Sequence, residues 1–313
     1  MARGDTLAAP PVVGHPAQQS GWRKLRQGGA LTGWAFAAPA LIVYAAFLVY
    51  PAINSALLSF TSWDGLSPAK AFVGFRNYIA MVHDSVVHTA IRNNLLWALV
   101  TIVVPLALGL ALALAVNTHI HLRPLIRTVL YMPAVLPLVG VGVFWGWLFQ
   151  PTGVINSVLH DIGLGSLAHA WLGDSTTAIW AIMVPAIWVR TGFPFLLYLA
   201  ALQGIPAEYY EAAHTDGAGR WQRFRHITFP SLRTTHYILI ALALIETAKV
   251  FDLVYAMTAG GPGNSTQVLG TWMYFNAFQS YHFGYGTAIA VVITIISILV
   301  GIPYVRSQAR DLR

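Results

Sequence analysis

The sequence predicts an all-α integral membrane protein with six transmembrane helices. Hydrophobic residues fill 57% of its 313 positions and charged residues only 9%, whereas an average soluble domain carries about 25% charged residues. A globular core could not bury so much apolar surface with so few charges to keep the chain soluble. Six apolar stretches reach the roughly 20 residues that a helix needs to cross the hydrocarbon core: 31–52, 93–116, 125–149, 176–202, 235–257 and 285–305.

Several of these stretches contain prolines. A proline removes a backbone donor and clashes with the preceding turn, so it kinks a helix. In a membrane bundle the neighbouring helices satisfy the freed carbonyls, and such kinks are tolerated. We therefore expect kinked spans at Pro39, Pro105, Pro133, Pro137, Pro185 and Pro194.

The distribution of basic residues orients the six spans. Cytoplasmic loops carry an excess of Lys and Arg. The loops 151–175 and 259–284 contain neither residue, which predicts that they lie outside. Both termini are then cytoplasmic, with a mobile tail at 1–30, a transmembrane domain at 31–305 and a second tail at 306–313. Of the 18 basic residues, those in the termini and the even-numbered loops are Arg3, Arg23, Lys24, Arg26, Arg123, Arg127, Arg220, Arg223, Arg225, Arg233, Arg306, Arg310 and Arg313.

Several chemistries are excluded or disfavoured by what the chain lacks. It has no cysteine, so disulfides, thiolate metal sites and cysteine nucleophiles are excluded. It has no Gly-x-x-x-x-Gly-Lys-[Ser/Thr], His-Glu-x-x-His or Gly-x-Ser-x-Gly motif, so we expect no ATP-binding P-loop and no common hydrolase site. His119 and His121 lack an acidic companion, and we expect no metal site. The basic residues are spread among short loops, which argues against nucleic acid as a partner.

The loop 204–232, between the fourth and fifth stretches, predicts a short helix outside the bilayer. Pro206 suits a first helical turn, where its missing N–H costs nothing. Glu208 and Glu211 lie near the helix start, where acidic side chains complement the dipole. Gly217 accepts the left-handed conformation that ends many helices. On these features alone, an ordinary capped loop helix and a helix that docks onto a partner protein are equally compatible with the sequence.

The spacing within this loop carries a family resemblance. Glu211-Ala-Ala, three residues, Gly217, nine residues and Ile227-Thr-Phe-Pro resembles the EAA motif of binding-protein-dependent ABC importer permeases. Phe229 stands where the usual pattern has leucine. The resemblance implies a cytoplasmic coupling helix that docks into a groove on an ATP-binding subunit. The residues it implicates in this coupling are Glu208, Glu211, Ala212, Ala213, Asp216 and Gly217.

Other stretches resemble the carbohydrate-uptake branch of that family, the maltose and glycerol-3-phosphate type permeases. They are 62–65, 72–78, 127–133, 249–255 and 260–266. The resemblance implies that two outer loops receive a solute-binding protein. The residues it implicates in this docking are Trp63, Asp64, Gly65, Gly260, Gly261, Pro262 and Gly263.

The same resemblance implies the partners and the place of the protein. It implies a second permease subunit, two ATP-binding subunits and an extracellular solute-binding protein, in a bacterial inner membrane. This chain is then no enzyme and holds no cofactor of its own, because ATP and Mg would be bound by the partner ATPase. The substrate would be a sugar or sugar-like solute, of the oligosaccharide, disaccharide or glycerol-phosphate class.

Four charged residues fall within the fourth and fifth predicted spans. Charges at membrane depth are rare and generally face a protein interior or a wet cavity. Glu246 and Lys249 are three positions apart, hence neighbours on a helix, and Asp252 would continue their face by one turn. With Arg190, they either fix the packing of the bundle, Glu246 and Lys249 as a self-neutralising pair, or line the solute path.

Aromatic side chains could contact the apolar face of a sugar, although Trp and Tyr also populate bilayer interfaces for unrelated reasons. We place Trp145, Trp188, Tyr198 and Tyr255 on the candidate solute path, and consider Trp147 and Phe193 beside them. Two other functions stay open from the residues alone. An ion-coupled secondary transporter could use the charges of the fifth stretch, and an intramembrane enzyme or scaffold could have the same composition.

Overall fold

The regular secondary structure is helical in the part of the chain that this computed structural model describes, residues 29–117 and 123–311. Within those ranges, the one strand-like pairing is an isolated antiparallel bridge between Thr61 and Phe72. The predicted all-α class is therefore confirmed. His119, His121 and nearly all of the predicted tail 1–30 lie outside the described residues. The chain separates into two compact units, Met1–Asn54 and Ser55–Arg313.

Helices α1 to α15 have the following bounds in chain order: Gly29–Tyr44, Tyr50–Leu58, Arg76–His83, Ser85–Val116, Arg123–Tyr131, Leu138–Leu148, Val154–Asp161, Ala178–Gln203, Ala207–Thr215, Arg220–Arg223, Phe229–Ser231, Arg233–Thr247, Asp252–Thr258, Leu269–Tyr274 and Phe283–Asp311. Single turns with π or 3-10 hydrogen bonding connect or extend several of them, at Ala45–Val49, Met132–Val135, Gly165–Leu167, Phe224–Thr228 and Phe275–Gln279.

Three helices among the described residues are long and apolar enough to cross a membrane: Gly33–Leu58, Ser85–Val116 and Ala178–Gln203. They coincide with the first, second and fourth predicted spans. Two further pairs of helices, bent by 97° and 62°, could each supply one span, which raises the number to five. The sixth predicted span coincides with the shorter apolar helix Phe283–Leu299. That helix is the first part of α15, which continues to Asp311.

The third predicted span, 125–149, is two helices that meet at 97°. Pro137 caps the N-terminus of α6, and Leu136 before it has extended backbone with ψ at 140°. This follows from sterics, because the residue before a proline avoids the helical region. The expectation of a merely kinked span is therefore wrong at this place.

The fifth predicted span, 235–257, is also divided. Helix α12 ends at Thr247 and α13 begins at Asp252. Between them Phe251 has φ at −153° and ψ at −59°, and the Val250 amide bonds the carbonyl of Thr247 at 3.4 Å, one residue closer than in an α-helix.

This break corrects one expectation from the sequence. Asp252 starts a new helix and does not continue the helical face that carries Glu246 and Lys249. The physical reason is burial, because Leu253 and Val254, at 3% and 0% exposure, pack into the main apolar cluster of the core. A continuous helix would place these side chains elsewhere.

Helices α4 and α8 pack closely at the centre of the unit Ser55–Arg313. A Cβ on Gly109 of α4 would lie 2.8 Å from the backbone nitrogen of Phe195 and 2.8 Å from the Cβ of Pro194. Glycine is therefore required for this close approach. Trp97 of α4 and Phe195 of α8 belong to two separate buried clusters, which lie at different positions along the contact between these helices. Between α4, α8 and α12 this packing leaves an open cavity.

Candidate functional site

The cavity has a volume of about 490 Å³ and is lined by all four charged residues of the fourth and fifth predicted spans. Helix α8 contributes Arg190 and α12 contributes Glu246, while Lys249 comes from the break after α12 and Asp252 from the start of α13. Most of the remaining wall is apolar. The structure thus brings together the four charged residues predicted for the solute path.

Arg190 and Glu246 form an ion pair across this cavity. The Arg190 Nη1 donates a hydrogen bond to the Glu246 Oε2 at 2.7 Å. The Arg190 side chain is 17% exposed and that of Glu246 is 64% exposed. The suggested pairing of Glu246 with Lys249 is therefore wrong, because the carboxylate binds the guanidinium from another helix. An arginine within a membrane span needs such a partner to offset its desolvation.

Lys249 and Asp252 are the other two charges of the cavity, and both side chains are exposed. Among the described residues, no ion pair or side-chain hydrogen bond engages either group. Lys249 also lines a second, mostly apolar cavity of about 570 Å³ between α12 and α15. The two groups are therefore available to a molecule that enters the first cavity.

The predicted aromatic residues divide into two sets. Phe193 lines the cavity and is 44% exposed. The four aromatics placed on the path, Trp145, Trp188, Tyr198 and Tyr255, do not belong to its lining. The rings of Trp145 and Trp188 pack 5.9 Å apart, and Tyr255 stacks on Phe251 at 5.1 Å.

Tyr198 is 1% exposed, and its hydroxyl lies 2.7 Å from the Nδ1 of His236. This hydrogen bond joins α8 to α12. The ring of His236 lies 4.6 Å from that of Phe229, within the Ile-Thr-Phe-Pro segment. Tyr198 on α8 is thus linked through His236 to Phe229 in the loop 204–232. A role for these aromatics on the solute path stays a prediction.

The helix predicted in the loop 204–232 is present as α9. Pro206 is its N-cap, one position before the first turn, and Asp216 is its C-cap. Gly217 has φ at +76°. The amides of Gly217 and Ala218 bond the carbonyls of His214 and Ala213, respectively, at 3.0 and 2.8 Å. This is a Schellman ending, which satisfies the last carbonyls of the helix.

The surface of α9 is open to solvent. Glu208, Glu211, Ala212, Asp216 and Gly217 are exposed, and Ala213 is half-buried. The hydroxyl of Tyr210 lies 3.0 Å from the hydroxyl of Thr228, which is buried. This contact fixes α9 against the Ile-Thr-Phe-Pro segment, so the two halves of the motif lie together.

The first of the two loops predicted to receive a binding protein is held by a polar turn. The Asp64 Oδ1 accepts hydrogen bonds from the amides of Leu66 and Ser67 at 2.9 and 2.8 Å. These bonds from Ser67 and Leu66 hold the pKa of Asp64 below its usual value of 3.8. The Trp63 ring packs 5.0 Å from that of Phe283, and Gly65 has φ at +89°. The turn is thus anchored on the start of α15.

The second loop, 260–266, is tied to helix α4 by a residue that the sequence analysis missed. The Asn93 Nδ2 donates to the carbonyls of Ser265 and Gln267, each at 2.8 Å. Gly260 and Gly263 have φ at +92° and +56°. Asn93 is 5% exposed. The sequence signal for this contact is an amide side chain within a predicted apolar span, because a buried amide needs hydrogen-bond partners.

A second missed residue fixes one end of the bundle. Asp84 is the N-cap of α4, and its carboxylate accepts bonds from the amides of Val86 and Val87. Its Oδ2 accepts from the Trp272 Nε1 at 2.9 Å and the Tyr285 hydroxyl at 2.7 Å. Burial raises the pKa of Asp84, but these hydrogen bonds outweigh it and hold the pKa below 3.8.

These features together define a helical protein with membrane-length apolar helices, a central cavity and an exposed capped helix. The family model described as "Binding-protein-dependent transport system inner membrane component" matches residues 95–310. The chain belongs to this family of ABC transporter permeases, and the resemblance drawn from Glu211–Pro230 is confirmed at that level.

Several relatives match most of the chain. The sulfoquinovosyl glycerol transport system permease protein SmoG of Agrobacterium fabrum is 37% identical over 91% of this chain and 92% of its own length. The alpha-glucoside transport system permease protein AglF of Rhizobium meliloti is 35% identical over 92% of this chain and 86% of its own. A bacterial ABC transporter of known structure, involved in import of the acidic polysaccharide alginate, has a chain with a TM-score of 0.78 and 23% identity, over 93% of this chain and 99% of that chain. This last likeness shows that the fold is shared.

Proposed function

We propose that this chain is the permease subunit of an ATP-driven importer that carries a sugar or sugar-like solute into the cytoplasm. Its family is that of the membrane components of binding-protein-dependent transport systems. The names of its relatives refer to sulfoquinovosyl glycerol, alpha-glucoside and multiple sugars. The single observation that carries the mechanism is α9, an exposed helix with a fixed C-terminal cap and a direct contact to Thr228.

The proposed topology has six crossings with both termini in the cytoplasm of a bacterial cell. The bent pair α5–α6 forms the third crossing, α12 and α13 together the fifth, and α15 the sixth. The transmembrane domain covers 31–305, between cytoplasmic tails at 1–30 and 306–313. The absence of Lys and Arg from 151–175 and 259–284 supports an outer position for these loops.

In the proposed mechanism, α9 is the coupling helix and this chain hydrolyses no ATP. Two partner ATPase subunits bind ATP and Mg, close, and move α9 of this chain and the matching helix of a second, homologous permease chain. Tyr210–Thr228 and the packing of Phe229 on His236 lead from α9 to the membrane helices. The movement exchanges an inward-open for an outward-open cavity.

A solute-binding protein outside the cell completes the proposed assembly. Its docking surface comprises the turn at Trp63–Gly65 and the loop Gly260–Gly263, both of which have anchored backbone. Preformed loops lose little conformational freedom when a partner binds. The ion-coupled alternative has no support from the family of the chain, so we do not propose it.

Thiol chemistry tests this proposal cleanly, because the chain contains no cysteine. Ala212→Cys on α9 and Ser166→Cys in the loop 151–175 both replace small residues at exposed positions. In intact cells a membrane-impermeant maleimide should label the second variant and spare the first. In the assembled complex, Ala212→Cys should crosslink to the ATP-binding subunit. Labelling of Ala212→Cys from outside would overturn the topology and the coupling role together.

Uptake distinguishes the energy source. Proteoliposomes that contain the whole assembly, with ATP inside and the binding protein outside, should accumulate sugar. Accumulation should stop when ATP is replaced by a non-hydrolysable analogue and should persist when an ionophore collapses the ion gradients. The opposite pattern would rule out ATP-driven import.

A further inference from the structure

The charges of the main cavity balance one another. Its lining contains two cationic residues, Arg190 and Lys249, and two anionic residues, Glu246 and Asp252. The formal charge of these four side chains is zero. A ligand that enters therefore meets a lining of no net charge from these four residues, although it meets strong local donors and acceptors.

The four charges are used unequally. Arg190 and Glu246 neutralise each other through a hydrogen bond of 2.7 Å. Lys249 and Asp252 are exposed, and within the described residues neither makes an ion pair. Lys249 lies within the break between α12 and α13, and Asp252 is the first residue after it. The break thus presents one free donor and one free acceptor to the same cavity.

A hydroxyl group suits both of these side chains. An ammonium group has donors only and an ionised carboxylate has acceptors only, whereas a hydroxyl can serve as either. A ligand with several hydroxyls can accept from Lys249 and donate to Asp252 at once. Beside them, Phe193 and Phe251 give the wall an apolar surface suited to the C–H face of a sugar ring.

An anionic ligand fits less well. Its carboxylate, sulfonate or phosphate group would bind Lys249 but would meet the carboxylates of Asp252 and Glu246 in the same cavity. Transfer of an ion out of water is costly unless the site compensates its charge. A lining with zero net charge does not supply that compensation.

We infer that this cavity selects uncharged polyhydroxylated ligands, neutral glycosides or polyols, and discriminates against glycosides that carry an acidic group. The inference deepens the proposed function and rests on it, because it names the class of solute for the same site. Lys249 and Asp252 are its specificity-determining residues.

The test measures ligand binding by the complex of permease and ATP-binding subunits in nanodiscs, without the binding protein. The probes are the methyl glycosides of glucose, galactose and mannose and the matching methyl uronides, in which a carboxylate replaces the C6 hydroxymethyl. The readout is the rise in the thermal unfolding temperature with millimolar probe. Half-maximal stabilisation should need about tenfold less of a neutral glycoside than of its uronide, a difference of roughly 1.4 kcal/mol.

The variant Asp252→Asn makes the lining cationic and should bring the two concentrations within about threefold of each other. Its matched control is Asp161→Asn, the same change of charge at an exposed position on α7 that does not line the cavity. The control should keep the wild-type ratio. Lys249→Met should weaken binding of the neutral glycosides themselves.

The inference is overturned if uronides stabilise the wild-type complex as well as neutral glycosides do, if no probe stabilises it, or if Asp252→Asn and Asp161→Asn behave alike. These outcomes are separate from the proposed function. ATP-driven uptake of an acidic sugar would contradict the selectivity and leave the importer intact, whereas absence of ATP-driven uptake of any sugar would contradict the importer itself.

Discussion

Arg190 on α8 and Glu246 on α12 are joined by a hydrogen bond of 2.7 Å, although the guanidinium side chain is 17% exposed and the carboxylate side chain 64% exposed. The two ends of the pair therefore depend on it differently. Without the pair, Glu246 would still be hydrated by water in the cavity, whereas Arg190 would remain a largely buried charge without compensation.

This asymmetry predicts an ordering of two variants. Glu246→Ala leaves the buried guanidinium unpaired and should lower the free energy of unfolding by about 2 kcal/mol, between the values typical of buried and exposed pairs. Arg190→Met keeps much of the apolar stem and leaves an exposed carboxylate, so it should cost less. Thermal unfolding of the purified complex measures both. A larger loss for Arg190→Met would contradict the assigned exposure.

The second prediction concerns Gly217, whose left-handed backbone ends the proposed coupling helix α9. A side chain at φ of +76° costs about 1–2 kcal/mol, and a β-branched one costs more. Nothing lies within 4 Å of a Cβ built at Gly217, so this cost is purely conformational. Gly217→Val should abolish transport and weaken copurification of the ATP-binding subunit, while insertion into the membrane stays normal.

The control for that variant is Gly219→Val, two positions along the same loop. Gly219 has φ at −67° and ψ at 170°, which any residue adopts, and a Cβ there makes only ordinary contact with Gln222. Transport should survive this change. Equal loss in both variants would show that the loop tolerates no bulk at all and that the conformation of Gly217 is not the cause.

Local chemistry explains which elements the sequence predicts correctly. Three predicted spans correspond to the long apolar helices Gly33–Leu58, Ser85–Val116 and Ala178–Gln203. Their helical structure follows from length and apolar composition and does not depend on which helices pack beside them. Helix α9 is predictable because its proline, its acidic first turn and Gly217 each act within a few residues.

The missed features depend on residues distant in sequence. No proline or glycine marks the break between Thr247 and Asp252, which follows from burial of Leu253 and Val254 against other helices. The partner of Arg190 is 56 positions away. Such contacts follow from packing, on which periodicity and spacing carry no information.

Asn93 provides a third prediction, on the two loops proposed to receive the binding protein. Its amide donates to two carbonyls of the loop that contains Gly260–Gly263, and Asn77 donates likewise to the carbonyls of Ser59 and Thr61. An aspartate at either position would place carboxylate oxygens, which can only accept, against the carbonyl oxygens of the loop. The loss of these hydrogen bonds should cost about 1–3 kcal/mol of stability. Asn93→Asp should raise amide hydrogen exchange in 260–268 only, and Asn77→Asp in 59–73 only. Exchange that rises in both loops for either variant would contradict the separate anchoring.

Asp84 provides the last prediction, a dependence of stability on pH. Its native pKa lies below the ordinary 3.8, because hydrogen bonds from Tyr285, Trp272 and two backbone amides outweigh the opposing effect of burial. A group with a depressed native pKa stabilises the fold fully above its unfolded pKa, and this contribution is lost as pH falls through the native value. The wild-type protein should therefore be more stable than Asp84→Asn at neutral pH, and the difference should shrink below pH 3.8. Asp161→Asn, at a carboxylate without these partners, should show no comparable difference at neutral pH. A gap between wild type and Asp84→Asn that is constant from neutral pH to acid would mean that the carboxylate charge does not hold α4, α14 and α15 together.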